Sequence, residues 1–161
     1  MSRHVKYFFF TIVLLLVQSK MMTLLTLEGI TPDLLTIWVV YLALKEGQLG
    51  AMPWGFAIGL LFDLLTGNFI GLSALTKTVA AFTAGYFYNE NKTPLTLGSY
   101  RFLVIVLIVS LIHNTIYFMI FTQGSEIGTL RAVLQVGLAT TFYTATLSLL
   151  PMLAFARKYI T

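Results

Sequence analysis

The chain has no cysteine, so neither a disulfide framework nor a thiolate metal site can hold it together. It is equally short of charge: ten Lys or Arg and six Asp or Glu make up 10% of 161 residues, whereas a soluble domain carries about a quarter. There are only two histidines and four prolines, and no low-complexity tail or long internal repeat. No nucleotide loop, zinc motif or serine-histidine-acid set occurs, which argues against an enzyme. What the chain does have is apolar side chains, 58% of all residues, so the solvent around most of it must be lipid. Its net charge of +4 then reads as membrane topology rather than nucleic-acid affinity.

The uncharged runs 102–125 and 132–156 are each long enough to cross a hydrocarbon core, which takes about 20 helical residues. Gly, Pro and charge signals divide the remainder. We expect an all-α polytopic bundle, one integral membrane domain over residues 1–161, with six short spans near 5–25, 32–44, 51–66, 72–88, 102–124 and 132–156. The basic, apolar N-terminal stretch lacks a small-x-small cleavage site and reads as a retained first span. Uninterrupted apolar runs lack the alternation of a membrane β-barrel. The short second and third spans could instead form a re-entrant hairpin, which leaves the sidedness of everything after them unchanged.

With the N-terminus inside, Arg3, Lys6, Lys45, Lys92, Arg101, Arg157 and Lys158 fall on the cytoplasmic side, against Lys20 and Arg131 opposite. That excess places both termini in the cytoplasm. Pro32 and Pro53 sit near helix starts, where proline is tolerated, and Pro151 is expected to kink or end the last helix.

Some residues do not suit lipid. Gly55, Gly59, Asp63 and Gly67 recur every four positions, and Ser73, Lys77, Ala81 and Gly85 do the same in the next span. Each series forms one narrow helical stripe, fit for close packing within the chain or against a partner helix. The stripes carry one charge each, so Asp63 and Lys77 are expected to pair or to share a polar cluster; helix-end exposure of Asp63 and snorkelling of Lys77 are the plainer alternatives. His113, Asn114 and Tyr117 form a second polar group, suited to interhelical hydrogen bonds of about 1 kcal/mol or less. A pocket bounded by Asp63, Lys77, His113 and Asn114 would suit a small-molecule-binding subunit of a transporter, although nothing in the spacing brings those four positions together.

Pro32-Asp33-Leu34-Leu35, then Lys45-Glu46-Gly47, Gly55-Phe56, Gly59-Leu60-Leu61, Asp63, and Gly71 followed by Ala74-Leu75 resemble the pattern of the rod shape-determining protein MreD family. The motif carries Pro32, Asp33, Gly55, Gly59, Asp63 and Gly71 onto this chain. The resemblance implies a non-enzymatic inner-membrane scaffold of the bacterial elongation machinery, with the bitopic protein MreC, the cytoskeletal protein MreB and the RodA/penicillin-binding-protein synthase as partners. It carries over no catalytic residue, cofactor or nucleic acid. The family is also similar in compact helical fold to vitamin-transporter binding subunits, by analogy alone.

Overall fold

The computed structural model describes residues 3–24, 30–67, 69–123 and 128–160. The expected span ends at residues 25 and 124 lie outside them. The described residues are helical nearly throughout: α1 (Arg3–Leu24), α2 (Leu34–Thr66), α3 (Leu72–Gly85), the short α4 (Thr93–Leu97), α5 (Tyr100–Phe121), α6 (Thr129–Arg131), α7 (Leu138–Leu147) and α8 (Leu149–Ile160). A π-helical stretch, Ala132–Gly137, links α6 to α7. Among the described residues three helical stretches are long and apolar enough to cross a membrane: Leu34–Thr66, Tyr100–Phe121 and Thr129–Arg157. They correspond to the expected spans 102–124 and 132–156 and to 32–44 and 51–66 merged into one, while 5–25 and 72–88 fall on α1 and α3, which are not among the three; six separate long apolar helices are therefore not seen.

The first of these stretches is not straight. At 1.5 Å per residue a straight helix would put Asp33 and Asp63 about 45 Å apart. Yet Asp33 pairs with Lys77, while Asp63 binds the backbone of Ser73, one turn away on α3. The chain must therefore reverse in between. It does so at Gly47, whose φ of 73° lies in the left-handed region that glycine enters at no steric cost. The two arms, on either side of Gly47, correspond to the expected second and third spans, without the separating loop. Pro53 falls inside the second arm rather than at its start, because that arm begins immediately after Gly47.

The second arm packs against α3 at backbone distance. A Cβ on Gly55 would stand 2.6 Å from the Lys77 carbonyl oxygen, and one on Gly59 would overlap the Ser73 carbonyl and sit 2.5 Å from Ala74 Cα. At the far end Gly85 faces Gln48 equally closely. Gly55 and Gly59 of the first stripe thus pack on Ser73, Lys77 and Ala81 of the second inside the chain, while Gly85 packs on Gln48. Gly67 and Gly71 do something different. They have φ of 68° and 98°, and a Cβ on either would meet nothing within 4 Å, so they shape the turn between α2 and α3 rather than pack.

α1 runs antiparallel to the first arm. Arg3 and Tyr7 bind Glu46, Trp38 donates to Thr11, and Gln18 reaches Pro32. The core lies between these helices and α5, around Leu35, Val39, Leu42, Ala51, Ile58, Phe102 and Val106. The last stretch breaks at Ser148, three residues before Pro151, whose ring cannot donate to the carbonyl of Leu147. Expected termination and observed break agree. Ala156 of α8 packs on Gly98, so Arg3, Lys45, Lys92, Arg101 and Arg157 gather at one end of the bundle.

Candidate functional site

Five helices meet at Asp33. It precedes the first turn of α2 and caps it: Thr36 N–H donates to Oδ1 at 2.9 Å and Thr36 Oγ1 to Oδ2 at 2.8 Å. The same Oδ2 accepts from Lys77 Nζ of α3 at 2.6 Å and lies 3.1 Å from His113 Nε2 of α5. Lys77 also donates to Thr36 Oγ1 at 3.3 Å. Gln18 of α1 spans the cap, donating to the Pro32 carbonyl and accepting from Leu34 N–H, and Asp33 N–H donates to Thr144 Oγ1 of α7 at 3.0 Å. Lys77 is 1% exposed, so its charge is satisfied by protein rather than by water, and His113 is buried beside it at 4%. Snorkelling of Lys77 is ruled out by that burial.

Asp63 is not Lys77's partner. It is wholly buried at the α2–α3 turn, about one helical turn along α3 from Lys77, where its carboxylate accepts from the N–H groups of Gly71 (2.9 Å), Ser73 (3.0 Å to Oδ2) and Ala74 (3.4 Å). These are the orphan donors of the α2–α3 turn and the α3 N-terminus, where a negative charge is also favoured by the helix dipole. Helix-end exposure of Asp63 is equally excluded. Truncating Asp63 to Ala removes this anchor, and we expect a loss of about 2 kcal/mol, with Asn recovering part of it, read as a lower melting temperature of the purified protein in detergent.

Asn114 and His113 stand side by side on α5 but serve different neighbours. Asn114 Nδ2 donates to Thr141 Oγ1 at 2.9 Å and approaches the Gly137 carbonyl at 3.4 Å, filling the gap that the π-helical stretch opens. The Thr76 carbonyl faces His113 Nδ1 without reaching hydrogen-bond geometry. Tyr117, one turn on, stacks on Phe121 and lies 6.2 Å from the His113 ring. A cavity of about 300 Å³ opens beside this junction, bordered by Asp33, Lys77, His113, Asn114 and Tyr117, with Ser73 and Gln18 at its edges. Of the four positions expected to bound a pocket, Lys77, His113 and Asn114 line it. Asp63 does not, and Asp33 takes its place.

Over residues 2–158 the chain matches the family of the rod shape-determining protein MreD. It belongs to that family. Neither the curated proteins nor the solved structures contain a match to it. The MreD family is one of non-enzymatic scaffolds. Asp33 has its oxygens filled by a cap, a lysine and a histidine, which is the arrangement of a structural tie. Of the residues whose pattern resembles the family, Asp33 and Asp63 hold helix N-termini, Gly55 and Gly59 let two backbones touch, and Gly71 turns the chain. Nothing in the sequence assigns Gln18, Thr36 or Thr144 to this junction. Gln18 and Thr144 are single polar residues in apolar helices, a signal that flags interhelical bonding without naming the partner. Thr36 had a more local signal, since Asp followed three residues later by Thr suits a capped helix start.

Proposed function

We propose that this chain is a scaffold of the bacterial rod complex in the inner membrane, coupling peptidoglycan synthesis to cell shape by holding MreC and, with it, MreB and the RodA/penicillin-binding-protein synthase. The family match over residues 2–158 carries this reading. In keeping with it, the buried polar groups are spent on joining helices, and the outward surface of α1, with Phe8, Phe9, Val13 and Leu16 exposed, is apolar. The chain is read as a single integral membrane domain over residues 1–161. On this reading α1, the two arms of α2, α3, α5 and the α6–α8 stretch count as six passages between the two ends of the bundle. An even number puts both termini at the basic end, which the positive-inside rule assigns to the cytoplasm. Within the proposal, Pro32, Asp33, Asp63, Lys77 and the glycines act by building the scaffold; partners meet other surfaces.

The test is recovery of tagged protein from a rod-shaped bacterium in mild detergent. MreC is expected in near-stoichiometric amount, and depletion of the protein is expected to turn rods into spheres. Recovery of a transporter's ATP-hydrolysing subunit with no wall-synthesis protein would overturn the scaffold reading in favour of a small-molecule-binding transporter subunit. The cavity beside Asp33 is the observation that favours this second reading.

A further inference from the structure

We propose that the basic end of the bundle carries a site for the phosphate headgroup of an anionic glycerophospholipid, held by Lys92 and Arg101. The segment after α3, α4 and the start of α5 border an open cavity of about 330 Å³ to which Lys92 and Arg101 both contribute. Asn89 and Tyr100 add polar groups to its rim, and Val104 and Ile105 form its apolar floor. No acidic residue lines it. The neighbouring cavity at the same end is different: there Arg3 and Lys45 are matched by Glu46 and Glu90, and Arg3 is paired with Glu46 at 3.0 Å. Among the described residues, Lys92 and Arg101 have no ion-pair partner. Two uncompensated cations therefore share one concave site, where a guanidinium fork and an ammonium suit a phosphate.

A second feature selects a lipid over a free phosphate. Below Arg101, exposed Val104, Ile108 and Leu111 follow at spacings of three, four and three, one continuous face of α5. A phosphate at Arg101 thus stands at the head of an apolar track running toward the membrane centre, the course of an acyl chain. Asn89 Oδ1 is engaged by Asn91 N–H, leaving the Asn89 amide N–H groups for the headgroup. This assignment is independent of which protein partners the bundle holds.

The test uses the purified full-length protein in mild detergent, titrated with phosphatidylglycerol, with phosphatidylcholine, and with phosphatidylglycerol in the presence of excess inorganic phosphate. Retained lipid is counted by native mass spectrometry. Wild type is expected to retain phosphatidylglycerol in preference to phosphatidylcholine, and the Lys92→Ala/Arg101→Ala double variant to lose about tenfold or more in apparent affinity. The Lys6→Ala/Lys45→Ala double variant removes the same charge elsewhere on that face and is expected to bind as wild type. Equal losses in the two doubles would show only diffuse attraction to basic residues and overturn the site. Full displacement by inorganic phosphate would overturn the lipid assignment. Val104→Ser/Ile108→Ser supplies a charge-neutral check, expected to weaken retention; unchanged retention there would also count against the acyl track. All three doubles alter surface positions, so an unchanged melting temperature is expected and verifies the fold in each.

Discussion

Lys77→Met is expected to remove most of the folded protein from the membrane, whereas Asp33→Asn/Lys77→Met is expected to restore much of it. The single change leaves the Asp33 carboxylate, its side chain 16% exposed where five helices meet, without its cation. Breaking one side of a buried pair costs about 3–5 kcal/mol, a large part of the roughly 5–15 kcal/mol that holds a typical domain together. The double variant leaves no stranded charge, and asparagine still caps α2. Fluorescence-detected size exclusion after heating each variant in detergent measures the order. A single variant that melts like wild type would show that the tie carries no energetic weight. Exchanging Asp63 and Lys77 for each other is expected to rescue nothing, because the two side chains serve different partners: Asp63 the backbone N–H groups at the start of α3, Lys77 the Asp33 carboxylate.

The second large effect is at Gly59. Any side chain there must push its Cβ into the Ser73 carbonyl and the Ala74 backbone, and backbone cannot swing aside as a long side chain would. Gly59→Ala is expected to cost about 3 kcal/mol, the upper part of the usual overpacking range, and Gly59→Leu to prevent the hairpin from closing. Gly67→Ala separates space from conformation: its Cβ meets nothing, and only the positive φ is strained, at about 1–2 kcal/mol. Measured melting temperatures should therefore fall in the order wild type, Gly67→Ala, Gly59→Ala. If Gly59→Ala melts at or above Gly67→Ala, the backbone contact between α2 and α3 is looser than described.

These two sites also show what could be read before the structure. Spacing of four identifies a helix face, so the packing role of Gly55 and Gly59 was legible, as were the apolar helices and the gathering of basic residues at one end. Spacing cannot say which neighbour a face meets. Asp63 and Lys77 lie on facing stripes of adjacent helices, so they looked like partners, but the hairpin register puts Asp63 beyond the end of α3. Asp33 stood in the family motif without a physical role, because its reach to Lys77 depends on the reversal at Gly47. Gly47 lies in a charged tripeptide that resembles an ordinary loop. The continuation of helix right up to that one residue has no compositional mark. Gln18 and Thr144, separated by 126 residues, are joined only by tertiary structure.

The junction at Asp33 also sets a schedule for biogenesis. Its parts leave the ribosome in the order Gln18, Asp33, Lys77, His113, Thr144. Once α3 is inserted the carboxylate has its cation, so the two charges need never face lipid separately for long. The Asp33 N–H, however, waits for residue 144. A nascent chain stopped before α7 would hold a neutral but open junction, so the bundle is sealed only when α7 arrives.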